Sequence, residues 1–131
     1  MSVNDLTSAI IGAAIKVHKA LGPGLLETAY RICLAYELRK LGLAVVMEEP
    51  IPIVYEGVRL ECGFRADLIV ENTVIVECKA KDKLIPIDKA QVISHLRLTG
   101  LQIRLLINFH EMILKDGIQR IVSNYRENTE G

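Results

Sequence analysis

The sequence predicts an α/β domain of the α+β kind: a central mixed β-sheet flanked by helices, in the order ααβββαβ. Three observations predict it. Apolar residues recur at helical spacing through two stretches before residue 42. Short runs rich in β-branched residues, separated by turn-forming residues, fill positions 44–76. A third helical stretch then separates those runs from a further β-rich run at Gln102–Phe109.

Asn4 or Asp5 can cap a first helix running to about Ala20, with Leu6, Ile10, Ala14 and Val17 on one face. Gly22-Pro23-Gly24 breaks it, and Pro23 suits the start of a second helix from about Leu25 to Leu41, stopped by Gly42. Glu27, Tyr30, Arg31 and Leu34 share one side of that helix. Ala44–Val46 and Ile51–Tyr55 read as extended, interrupted around Pro50 and Pro52, which place the segment at a sheet edge or bend. Glu48 and Glu49 read as solvated. Glu56-Gly57 turns the chain into Val58–Phe64. Beyond the hairpin described next, a helix is expected from about Asp88 to Thr99, then an inner strand over Gln102–Phe109. A turn follows over His110–Asp116, then a short amphipathic segment at Gly117–Ser123 and a polar, fraying tail from Asn124.

The centre of the chain is Asp67 to Lys79. Leu68–Val70 and Thr73–Val76 flank the turn-prone Glu71-Asn72, so the two runs form a hairpin whose open end brings Asp67 near Glu77. Side chains alternate along a strand, so Glu77 and Lys79 share a face and Cys78 takes the other. An odd loop, such as Glu71–Thr73, pairs Asp67 with Glu77; a two-residue loop puts Asp67 on the wrong face unless a bulge repairs the register. An odd loop or a bulge is therefore expected, with the two carboxylates close enough to share a hard cation. Glu-X-Lys by itself is a weak motif, and its bland alternative is a cross-strand charge cluster on a solvated face. Its position strengthens it: the apolar runs indicate a central strand buried on both faces, where an unpaired carboxylate or amine is expensive.

The chain of 131 residues reads as one domain over 1–131, half of it hydrophobic, with sixteen basic and sixteen acidic residues that cancel. No general basic field exists to hold nucleic acid nonspecifically, though the cluster Lys79, Lys81, Lys83 and Lys89 adjoins the carboxylates. The longest apolar runs are too short to span a bilayer, and Met1–Asp5 lacks the pattern of a secretory signal. Cys33, Cys62 and Cys78 have no metal-finger spacing and read as reduced core residues. The compartment so indicated is cytoplasmic, and no membrane partner is expected. Taken from composition alone, Glu27 favours the helix dipole, Tyr30 packs, and Gln91 and His95, which share a helical face, are structural.

The Gly24-Leu-Leu-Glu27-Thr-Ala-Tyr30 motif, preceded by Val17-His18 and Leu21-Gly22-Pro23, changes that reading. Together with Asp67, Glu77-Cys78-Lys79, Gln91, Leu96-Arg-Leu-Thr-Gly100-Leu and Leu105-Leu-Ile-Asn108-Phe109, it makes the chain resemble the GxxExxY proteins of the PD-(D/E)XK nuclease superfamily over about residues 6–124. The resemblance implies a restriction-endonuclease-like PD-(D/E)XK core and a Mg²⁺- or Mn²⁺-dependent nuclease acting on phosphodiester bonds, most naturally of DNA. It implies that Glu27, Asp67 and Glu77, with the backbone carbonyl of Cys78, hold the metal. Lys79 would position water and offset developing charge, and Gln91 would orient water or phosphate. His18, Tyr30 and His95 would support this set, and a homodimer would present two sites to a duplex. The sequence departs from the family pattern at His95, usually tyrosine, at His110, commonly glycine, and at Asp88, often histidine. The rival expectation is a catalytically inactive module of the same fold that binds nucleic acid or protein, since a fold places a site without ensuring turnover.

Overall fold

A computed structural model describes residues 1–101 and 103–122, apart from the side chains of Val92, His95 and Leu96. Its elements are helices α1 (Val3–Leu21) and α2 (Glu27–Lys40), strands β1 (Val45–Tyr55), β2 (Val58–Val70) and β3 (Val74–Lys79), helix α3 (Pro86–Thr99), strand β4 (Ile103–Asn108), a 3₁₀ turn (Leu114–Gly117) and strand β5 (Ile118–Val122). The expected order is present, extended by a fifth strand where an amphipathic segment of no assigned type was expected. The expected polar tail and Ser123 lie outside the described residues.

Two helix starts differ from expectation. Ser2 caps α1, ahead of Asn4 and Asp5: its hydroxyl accepts the Asp5 N–H at 3.1 Å while its own N–H reaches the Asp5 carboxylate at 3.2 Å. This reciprocal pair satisfies two amide donors at once, which a single cap at Asn4 or Asp5 would not. Helix α2 begins at Glu27, after the Gly22–Leu25 loop, so Pro23 starts no helix. Gly24, with φ of +100°, supplies a backbone conformation there that a side chain would disfavour.

The five strands lie in the order β1-β2-β3-β4-β5, antiparallel except for β3 and β4, which α3 joins in parallel. Against one face pack α1 and α2, through Leu6, Ile10, Tyr30, Leu34 and Leu38 onto Leu68, Val76, Leu105 and Ile107. A smaller cluster on the other side joins Ile51, Ala66, Ile69, Ile75, Leu106 and Ile121, with Leu84 and Leu101 at the ends of the α3 segment. Strand β3 is therefore covered on both faces, and Val74 to Cys78 are all buried, as the unbroken apolar run requires.

Strands β1 and β2 are longer than the separate runs expected within them. The interruption in β1 is local: Glu48 adopts φ of +50° and the ladder resumes at Glu49. Pro50 and Pro52 do lie on an edge strand, where a missing N–H can face outward. The loop between β2 and β3 is odd, as expected, with Val70 opposite Val74 and residues 71–73 between them. Glu71 and Asn72 both have positive φ and the Thr73 N–H returns to Val70 O, a type I′ turn with one added residue. No helix among the described residues is long and apolar enough to cross a membrane. Cys62 is exposed and Cys33 half-buried, so only Cys78 is the buried core thiol expected of all three. Hairpin geometry accounts for Cys62, which lies on a part of β2 that nothing covers.

Gly117 ends the 3₁₀ turn against β4, where a Cβ would press into the carbonyl oxygen of Asn108. Gly117→Ala is expected to lower stability by about 1–3 kcal/mol, since backbone must yield. Urea titration of the two proteins measures it.

Candidate functional site

The site lies where β2 leaves β3. Their ladder ends at Leu68 opposite Val76, and the same register continued sets Asp67 opposite Glu77. Here the strands part. The Cys78 N–H, which would otherwise seek a ladder carbonyl, donates instead to Asp67 Oδ2 at 2.9 Å. On the opposite side of β2, the β1 register sets Glu48 beside Asp67. Three acids thus lie abreast across β1, β2 and β3, and the kink at Glu48 falls in that row.

Helix α2 brings the fourth. Glu27 occupies its first turn, on a loop fixed by Tyr30: the phenol donates to Gly22 O at 2.6 Å and accepts the Leu25 N–H at 3.0 Å. The ring of Tyr30 stacks on Phe109 at 4.5 Å between centroids, which ties the loop to the end of β4. Gly24, Glu27 and Tyr30 therefore work together: a glycine to turn the chain, a phenol to brace the turn, and a carboxylate at the helix start so positioned. His18 is likewise structural, with Nε2 2.7 Å from Glu111 O, which makes that nitrogen the donor.

Electrostatics show which groups converge. Burial raises the Glu27 carboxyl above its ordinary range and the charge of Asp67 adds to the rise, while Lys79 and Arg31 oppose it. Asp67 is also raised, chiefly by burial, against the Cys78 N–H and the charges of Arg31, Lys79 and Arg104. The Cys78 thiol is pushed well up by burial and then by Asp67 and Glu27. Glu27, Asp67 and Lys79 are thus mutual neighbours at the strand ends. Arg31 bridges the acids, with guanidinium nitrogens 3.9 Å from Glu27, 3.9 Å from Asp67 and 3.2 Å from Glu48. Glu48 is exposed, as expected, and its carboxylate also pairs with Arg31.

Glu77 has its own partner. Arg104, wholly buried on β4, forms an ion pair with its carboxylate. Burial lowers the Arg104 guanidinium to about 9, and the charge of Asp67 works against that fall. Asn108, also buried, accepts the Lys81 N–H and donates to Lys81 O, which holds the chain just beyond Lys79. Lys81 in turn pairs with Asp88, whose carboxyl is lowered despite burial because it accepts the Ile85 N–H and faces that ammonium.

Glu27 and Asp67 suit a hard divalent cation: they are neighbouring oxygen donors, partly desolvated, each raised in pKa chiefly by burial. The third proposed ligand, Glu77, is held by Arg104, and no cluster of three or more metal-binding side chains is formed among the described residues. Gln91 is exposed on α3, with no hydrogen bond to these acids among the described residues. The His95 side chain lies outside the described residues. Arg31, Glu48 and Arg104 are the site residues not read from the sequence as such. Signals for two of them exist: Glu27 and Arg31 are four apart on one helix, and Arg104 interrupts an apolar inner strand, where an arginine needs an acid.

A family model described as the PD-(D/E)XK nuclease superfamily matches residues 4–121 of the chain. No curated protein and no solved structure matches it significantly.

Two measurements test this description. A carboxyl raised in the folded state holds its proton more tightly there than when unfolded, so ionised Asp67 subtracts stability above its raised pKa. Asp67→Asn keeps an acceptor for the Cys78 N–H and is expected to melt higher than the parent at pH 7. That advantage should shrink as pH falls through the raised pKa and vanish below the ordinary aspartate range, about 4. Separately, Arg104→Met leaves Glu77 buried without its counter-ion and is expected to cost roughly 3–5 kcal/mol in denaturant unfolding, with partial recovery when Glu77→Gln is added.

Proposed function

The chain belongs to the PD-(D/E)XK nuclease superfamily, and on that footing we propose that it is a Mg²⁺- or Mn²⁺-dependent nuclease hydrolysing phosphodiester bonds, with DNA as substrate and the cytoplasm as its setting. The observation that carries this reading is the convergence of Glu27 and Asp67, with Lys79 beside them, at the point where β2 and β3 part. Glu27, Asp67, Glu77 and the backbone carbonyl of Cys78 would hold the cation. When bound it would polarise phosphate oxygens and lower the pKa of an attacking water.

The chain's own residues supply the rest. Lys79, at the end of a rigid buried strand, offsets negative charge developing on the phosphate and positions the attacking water. Asp67 is fixed by the Cys78 N–H, so its other oxygen, on the side of Arg31, has a defined direction. Glu27 is held by the braced loop before α2. Arg31 neutralises part of the acidic row and so limits mutual repulsion before any cation arrives. Gln91, exposed on α3, orients water or phosphate in this reading. A homodimer is part of it too, offering two such sites to one duplex.

The pairing of Glu77 with Arg104 favours a second reading, a module of the same fold that binds without cleaving. Calorimetry with Mn²⁺ separates the two: metal binding that is lost in Asp67→Asn supports the nuclease, and absence of such binding supports the module. For the nuclease, incubation with Mg²⁺ or Mn²⁺ and single-stranded, duplex and branched DNA is expected to give cleavage. Glu77→Ala and Lys79→Ala, folded by circular dichroism, should then lose at least about a hundredfold in rate. Undiminished cleavage by Lys79→Ala would sink the assignment.

A further inference from the structure

The outer half of β2 has an unused edge. Strand β2 runs from Val58 to Val70, yet β3 pairs only with Leu68, Ile69 and Val70. From Val58 to Arg65 its other side meets no strand among the described residues, and Val58 to Gly63 are exposed throughout. Together with β1 this forms a two-stranded arm that extends beyond the sheet. Such a ribbon is marginal in water without a third strand or a covering element. Gly63 shows how tightly its irregular part is packed, since a Cβ there would run into Ile53.

The arm specifies its own partner. The two-residue turn Glu56-Gly57, with both φ positive, makes Tyr55 and Val58 a hydrogen-bonded pair. By alternation Ile53 and Leu60 form the next such pair, and the N–H and C=O groups of Arg59 and Glu61 face the bare edge. A second copy can add antiparallel to this edge only in registers that match outward groups with outward groups. Centred on Arg59 or on Glu61, the two-fold axis sets like charges opposite each other. Centred on Leu60, it sets Arg59 of each copy opposite Glu61 of the other, twice, with backbone groups in register and Leu60 facing its own counterpart on the axis. Within one chain Arg59 Nε and Glu61 Oε1 already lie 2.8 Å apart, so both are held on one face of the strand. The other face, with Val58, Leu60 and, across the ribbon, Tyr55, is apolar and exposed.

We propose that the chain forms a two-fold dimer by antiparallel pairing of the β2 edge around Leu60, with Arg59 and Glu61 as reciprocal ion pairs. The two arms then make one four-stranded antiparallel sheet, its exposed apolar side chains placed side by side. This interface involves none of the residues assigned to phosphodiester hydrolysis and stands whether or not the chain cleaves DNA.

Sedimentation of the full chain from roughly micromolar to millimolar concentration tests it. The parent is expected to pass from monomer to dimer within that range. Arg59→Glu should weaken association at least about tenfold, because two symmetric pairs turn from attractive to repulsive. The double exchange Arg59→Glu with Glu61→Arg should restore it. In a Cys62→Ser background, Leu60→Cys should form a disulfide-linked dimer on mild oxidation, since residues facing across a non-hydrogen-bonded pair bring Cβ atoms to about 4.5–5.5 Å. Arg59→Cys in the same background should not. A monomer at every concentration, association indifferent to Arg59→Glu, or equal crosslinking at positions 59 and 60 would overturn the proposal; a bare edge taken by some other chain would give the first result.

Discussion

A single hydrogen bond governs this site: the one from the Cys78 N–H to the Asp67 carboxylate. Strand β2 must follow β3 near the hairpin and β1 along the arm, and it cannot do both beyond Leu68. Where it departs, a backbone donor of the most buried strand would be left without an acceptor, a cost of roughly 1–3 kcal/mol. A side chain fills the role. The sheet can then open a cleft at its centre without leaving that donor unmet, and the residue that closes the ladder is also the one turned toward the other charges. Position and chemistry are set by the same contact.

The cleft so formed is short of positive charge. Four acids, Glu27, Glu48, Asp67 and Glu77, come from α2, β1, β2 and β3, and two arginines balance them from separate elements. Arg31 spans three of the four from the helix side, while Arg104 takes Glu77 from within the sheet. The buried pair of Arg104 with Glu77 is not an efficient way to hold a fold together, because such a pair repays little more than its desolvation. Apolar residues would serve β4 at least as well for stability. Arg104 is better explained by the acids it balances than by the core it occupies.

Much of this was legible in the sequence. Side-chain alternation requires either an odd loop or a bulge for Asp67 and Glu77 to share a face, and the turn at Glu71 and Asn72 delivers the odd loop. The prolines of β1 announced an edge, and the unbroken apolar run around Ile75 announced a strand covered on both sides. Glu27 was different: a first-turn acid has an ordinary explanation, and only the spacing Gly24, Glu27, Tyr30 gave it another. What could not be read was pairing over distance. Arg104 and Glu77 are apart in sequence and meet because β3 and β4 run parallel, and Glu48 meets Arg31 because one residue adopts a left-handed conformation. Asn4 and Asp5 are the more obvious caps by residue type, yet Asp5, three residues after Ser2, is the acid that completes a capping box with it.

The two prolines of β1 have a further effect. Pro50 is set opposite Arg65 in the ladder, and neither Pro50 nor Pro52 has an N–H, so neither can donate to a strand arriving on the outer flank of β1. An incoming strand would find that flank unreceptive. The arm is therefore less readily extended along β1 than along β2, which favours an assembly that closes on itself after two subunits over one that grows into a fibre.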